Sequence, residues 1–285
     1  MSKKQFKTAV ITDEISQDFE VALQLASKYK LDGVELRSVW ETPPERLSEE
    51  QLKEIERLLK KYKQKVIAIS SSIFKCDWGV KEDEKLEKTI KLAKRFECGF
   101  VRGFSFWQSD AYNDTEFAKI IKEVDKHLKK EGLVLVIEMD PTVNISNGEG
   151  LARIIKMVDS PNVRVLWDPG NDISDPLGEI PYPNGYDFVK NYIAHVHLKD
   201  AVKKEDGKVV GVAFGTGEVD FIGQFKALKK DKYNGYIVVE THYKKNNKEI
   251  DEDLLKNPMG SAFSEGGVEA TEECLVNLFE LLKNF

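Results

Sequence analysis

The sequence predicts an α/β chain folded as a single (β/α)8 barrel, on three observations. Short β-branched runs alternate with amphipathic stretches of helical period eight times from end to end. No composition shift or Pro/Gly/Ser linker divides the chain. Its 285 residues suit a barrel, a fold that commonly runs to about 250 residues as one unit. A doubly wound open sheet would alternate in the same way, but the first βα turn, DEISQD, carries no glycine-rich phosphate fingerprint. The expected domain therefore spans 1–285.

In chain order, the first strand is TAVITDE (8–14), followed by a helix over 18–30. GVELR (33–37) and a helix over 48–63 come next, then KVIAISSS (65–72) and 82–96, and then FVRGFSF (100–106) and 114–130. The second half repeats the pattern: VLVIEMD (134–140) with 149–158, VRVLWDP (163–169) with 185–191, IAHVHLKD (193–200) with 219–230, and GYIVVETH (235–242) with 267–283. The longest irregular stretch, 243–266, follows the eighth strand. In a barrel that position is the mouth, so the segment is read as a lid or as a surface insertion.

Lys plus Arg number 43 against 49 Asp plus Glu, a formal net charge of −6. That balance argues against a nucleic-acid partner held by bulk positive charge. No apolar run approaches the roughly 20 residues that span a bilayer, and MSKKQFKTAV lacks the apolar segment of a signal peptide. The expectation is a cytoplasmic protein with no membrane partner. Cys76, Cys98 and Cys274 are odd in number, with no CxxC spacing, and read as reduced thiols, mostly buried.

Function in a parallel barrel concentrates at the C-terminal ends of strands. Strand five ends with Glu138, strand six with Asp168 and Asn171, strand seven with His195, His197, Lys199 and Asp200, and strand eight with Glu240 and His242. Three carboxylates and an imidazole suit one divalent ion (Mn, Mg, Co or Zn), with open positions for substrate oxygens. Any one acid alone reads as a solvated cap, but Glu138 and Glu240 follow apolar runs where an unpaired charge is costly. His195 and His197 share a strand face by the period of two. Only one need be a ligand, and His197 lies nearer the strand end. Lys199 is in register with it, either reaching over the mouth toward substrate or solvated. Trp167 reads equally as core or pocket, and the GTGEVD run (215–220) as a tight turn or a phosphate cradle.

These residues resemble the sugar phosphate isomerase/epimerase superfamily, the xylose isomerase-like or AP endonuclease family 2 TIM barrels. The resemblance runs from DEISQDFEVALQLASKYKLDGVELR through WDPGN and HVHLKD to VVETH. It implies a single divalent ion held by Glu138, Asp168, His197 and Glu240. Many members place a substrate-contacting histidine three residues after the aspartate, where this chain has Asn171. Similar positions also make Glu35 and Arg102 candidates for orienting substrate, with a Glu35–Arg102 ion pair as the structural alternative. Trp107, with other aromatics after the strands, could form a wall for the C–H face of a sugar.

The implied activity is isomerisation or epimerisation of a small sugar, keto-polyol or sugar phosphate. Glu138 and Glu240 would transfer a proton next to a carbonyl while the ion stabilises the enediolate. An inosose-type dehydratase would use the same centre. An AP endonuclease would need more histidines than His127, His195, His197 and His242. The expected partner is a small carbohydrate, with association into a homo-oligomer left open.

Overall fold

The eight predicted strands close into a parallel barrel in the computed structural model, which describes residues 5–245 and 264–285. The elements of the first half are β1 (Lys7–Ile11), α1 (Thr12–Ile15), α2 (Phe19–Lys28), β2 (Gly33–Leu36), α3 (Glu49–Tyr62), β3 (Val66–Ile73), α4 (Asp83–Arg95), β4 (Phe100–Gly103) and α5 (Asp114–Glu131). The second half comprises β5 (Val134–Glu138), α6 (Gly148–Val158), β6 (Val163–Trp167), α7 (Pro169–Ile173), α8 (Tyr186–Val189), β7 (Ile193–Leu198), β8 (Asp200–Lys203), β9 (Val209–Val212), α9 (Phe221–Lys230), β10 (Tyr236–Val239) and α10 (Gly267–Leu282). Around the barrel the order is β1, β10, β7, β6, β5, β4, β3, β2, so neighbouring strands are consecutive except for β7–β10, bounded by the β8–β9 excursion, and β1–β10, which closes the ring.

The helices form because their apolar residues recur at helical spacing. Leu52, Ile55, Leu58 and Leu59 bury one face of α3, and Phe117, Ile121, Val124 and Leu128 do the same for α5. Each such side chain contributes roughly 1.5–3 kcal/mol of transfer free energy. A capping box starts α3, with Ser48 Oγ accepting from Gln51 N and Gln51 Oε1 accepting from Ser48 N. The main core thus lies between barrel and helices. A second, small apolar cluster of Ala9, Ile11, Ile67, Ala68 and Val238 is separate from it.

The departures from the sequence reading fall at strand ends. β1 stops at Ile11 because Thr12–Ile15 coils into a helical turn, which carries Asp13 and Glu14 off the strand. β7 stops at Leu198, and Asp200 instead opens an antiparallel hairpin with β9 that the sequence reading did not anticipate. Its signal is Asp206-Gly207 between the two runs, an Asp-Gly pair of the kind that favours tight hairpins. Trp167 is core: it is fully buried and its Nε1 donates to Gln224 Oε1 at 2.8 Å. Cys98 and Cys274 are buried, Cys76 is half-buried, and all three are free thiols. Residues 246–263 of the segment read as a lid lie outside the described residues. Among the described residues no helix is long and apolar enough to cross a membrane.

Candidate metal centre

Four adjacent strands deliver the polar cluster. Glu138 is the last residue of β5, Asp168 directly follows β6, His197 lies on β7, and Glu240 directly follows β10. One ligand atom from each lies within 4.8 Å of all the others, and all four residues are at most 2% exposed. His197 Nδ1 stands 3.3 Å from both Glu138 Oε1 and Glu240 Oε2, yet it is buried without a hydrogen-bond partner.

The other imidazole nitrogen explains why. His197 Nε2 meets Glu35 Oε1 at 3.1 Å, and His195 Nε2 meets Glu35 Oε2 at 2.7 Å. A carboxylate only accepts, so His197 carries a proton on Nε2 and turns Nδ1 toward the three carboxylates, where a bound cation would replace the Nδ1 proton. This is the arrangement by which a carboxylate orients a metal-binding histidine. Ser70 Oγ also donates to Glu35. Glu35 is therefore beneath the four, fully buried, with both oxygens engaged.

Each glutamate divides its oxygens. Glu138 Oε2 accepts from Arg102 Nη1 at 2.9 Å and Glu240 Oε1 from Arg37 Nη1 at 2.9 Å, leaving Glu138 Oε1 and Glu240 Oε2 facing His197. Arg102 is itself fixed by the carbonyls of Ser70 and Ser71, at 3.0 and 3.3 Å. Asp168 splits likewise: Oδ1 accepts from Gly170 N (2.9 Å) and Asn171 N (3.2 Å), capping α7, while Oδ2 meets Lys199 Nζ at 2.8 Å. Gly170 is required there, since a Cβ would stand 2.4 Å from the Lys199 carbonyl oxygen. Lys199 Nζ also reaches Glu240 Oε2 at 3.2 Å.

Burial works against ionisation of Glu138, but Arg102 and then His197 override it and hold its carboxyl below the usual range. Burial likewise opposes ionisation of Glu240, and Lys199 and His242 hold that carboxyl well below. Burial pushes Asp168 up to about 6 against the pull of Lys199. Burial would lower His197, but the charges of Glu35 and Glu138 raise it well above its ordinary value. Three oxygens and one nitrogen, with a buried Nδ1 that has no hydrogen-bond partner at the centre, fit a divalent cation of the Mn, Mg, Co or Zn type.

The remaining candidates take distinct places. Asn171 Nδ2 donates to the Met139 carbonyl at 3.0 Å and approaches Glu138 Oε1 at 3.4 Å. Trp107 is half-buried, pairs with Val143 between the loops after β4 and β5, and keeps its Nε1 buried without a partner. Arg102 and Glu35 do not pair with each other: Arg102 goes to Glu138 and Glu35 to the histidines. Sequence reasoning missed the partners of Arg37. Its Nε lies 3.1 Å from Asp13 Oδ2 and its Nη2 2.5 Å from Glu14 Oε1, with His242 Nε2 3.2 Å from Glu14. The available signal was a pair of acids straight after the apolar run of β1. Lys75, bound to Asp140 at 2.8 Å, was missed as well.

Fold and site together define a (β/α)8 barrel with a buried carboxylate–imidazole centre at the C-terminal ends of its strands. The chain belongs to the xylose isomerase-like TIM barrel family, whose sequence model matches residues 23–257. It is 25% identical over 259 residues to an inosose dehydratase of Clostridium perfringens, covering 84% of this chain and 79% of that one. It is 27% identical over 164 residues to a putative L-ribulose-5-phosphate 3-epimerase of Escherichia coli, covering 55% of this chain and 56% of the other. Among solved structures it is similar to the IOLI protein with a bound zinc atom, with a TM-score of 0.73 and 14% identity over 98% of this chain and 99% of that one.

Proposed function

We propose that the protein is a divalent-metal-dependent isomerase or epimerase that moves a proton next to the carbonyl of a small carbohydrate. The observation that carries this reading is the matched pair of glutamates. Glu138 and Glu240 come from strands three positions apart in the barrel, each pinned by an arginine on one oxygen and each turning the other toward the same point. Glu138, Asp168, His197 and Glu240 would hold the ion, which when bound supplies Lewis-acid polarisation of the substrate carbonyl. Arg102 keeps Glu138 ionised and Lys199 with His242 keeps Glu240 so, as a ligand and a proton acceptor must be. Glu138 takes or returns the proton from one side of the substrate and Glu240 from the other. Glu35 fixes the His197 ring, Asn171 steadies Glu138, and Lys199 lies beside Glu240 where a substrate hydroxyl would approach.

A second reading, loss of water from a keto-cyclitol, is supported by the match to an inosose dehydratase over 84% of the chain. It uses the same centre and the same first proton transfer. Turnover in D₂O by metal-loaded protein separates the two, since epimerisation gives a deuterated epimer and dehydration an unsaturated or deoxy-keto product. Glu138→Gln and Glu240→Gln each reduce turnover by about 10²-fold or more, the usual size of general acid–base contributions. Full turnover by either variant would remove that glutamate from the proton transfer.

A further inference from the structure

We infer that the substrate is uncharged: an unphosphorylated ketose or keto-cyclitol rather than a sugar phosphate. The inference rests on the metal-dependent carbonyl chemistry proposed above and sharpens it through the balance of charge at the centre. Among the described residues only four Lys or Arg side chains are buried, namely Arg37, Lys75, Arg102 and Lys199. All four are spent on carboxylates of the protein. Arg37 lies among Asp13, Glu14 and Glu240; Arg102 holds Glu138; Lys199 bridges Asp168 and Glu240; Lys75 holds Asp140. Four cations thus face seven carboxylates, Glu35 below included. A divalent ion on the four ligands would still leave that balance one charge negative.

The place where such barrels commonly take a phosphate is filled from within. The loop after the seventh barrel strand, with the N-terminus of a following helix, is a frequent phosphate site because its free amides gather there. Here those amides converge on Asp200, which is 1% exposed. Its carboxylate accepts from Ala201 N (3.0 Å), Gly215 N (2.9 Å), Gly217 N (2.8 Å) and Val219 N (3.3 Å). Gly215 has φ +81°, a conformation that turns its N–H inward at little cost only for glycine. Asp220 in turn caps α9 through Gly223 N. A phosphate dianion would therefore meet occupied amides and buried cations already engaged by carboxylates, whereas hydroxyl groups of a neutral substrate carry no such penalty.

Metal-loaded protein is assayed on matched pairs, D-ribulose against D-ribulose 5-phosphate and D-fructose against D-fructose 6-phosphate, alongside keto-inositols. The neutral member of a pair that turns over is preferred in kcat/KM by about 10²-fold or more, the scale of one uncompensated charge near the centre. Preference for the phosphorylated member overturns this inference and leaves the isomerase reading standing. Failure of every compound with the metal site filled overturns both. Calorimetric titration of inorganic phosphate gives an independent readout: the wild type binds none at millimolar concentration, and Asp200→Ala, with its amides emptied, gains a site. Binding by the wild type, or by neither protein, removes the filled cradle and overturns the argument built on it.

Discussion

Replacing Arg102 by Met tests whether the Glu138 carboxylate depends on its arginine. The substitution keeps a long apolar stem beside Phe104, whose ring centroid lies 4.9 Å from Arg102 Cζ, but removes the guanidinium from Glu138 and from the carbonyls of Ser70 and Ser71. Glu138 is 2% exposed, so its charge is left without its direct partner in a buried site. Breaking a buried pair from one side costs about 3–5 kcal/mol. At about 2 °C per kcal/mol for a chain of this size, the metal-free protein should melt roughly 6–10 °C lower. Glu138 should also protonate more readily, since Arg102 is the chief group holding its carboxyl down. Added divalent ion would restore part of the loss by supplying positive charge to the free oxygen. Differential scanning calorimetry with chelator and then with metal reads both effects. A metal-free variant melting within about 1 °C of wild type, the range of an ordinary surface substitution, would refute the reasoning.

Asp168→Ala should abolish stoichiometric metal binding while circular dichroism shows an intact barrel. Loss of the α7 cap costs only about 1 kcal/mol, and full occupancy by elemental analysis would take Asp168 out of the centre. In the wild type, metal affinity should fall as pH drops, because His197 holds its proton well above its ordinary range and the buried Asp168 takes one up at about 6; a flat profile from pH about 7 to about 5 would contradict the ligand assignment. Asp172 is fully buried, and burial followed by the Glu179 charge raises its carboxyl to about 9 from 3.8. Between those values the folded chain holds a proton that the unfolded chain releases, so its contribution to stability falls as pH rises toward about 9. Asp172→Asn should flatten that slope and gain most at alkaline pH, and an unchanged slope of melting temperature against pH would remove Asp172 as its source.

The number and order of the strands, the helices between them and the rim that gathers Glu138, Asp168, His197 and Glu240 were legible because each depends on local pattern. Apolar runs of strand length, helical spacing and the period of two that aligns His195, His197 and Lys199 are set by neighbours a few residues apart. The partners of those side chains were not legible, because they are decided by barrel closure and stagger. β2 and β7 are separated by β1 and β10 in the ring, and only closure sets Glu35 against His195 and His197. The same closure sends Arg102 to Glu138 and brings Arg37, directly after β2, to Glu240 directly after β10, 203 residues along the chain. The Asp200 carboxylate reaches amides up to 19 residues ahead only because the β8–β9 hairpin folds the intervening chain back. Sequence by itself determined which chemical groups reach the barrel mouth, whereas tertiary structure decided which charges they neutralise, since a buried charge is settled by whatever the fold places within about 4 Å of it.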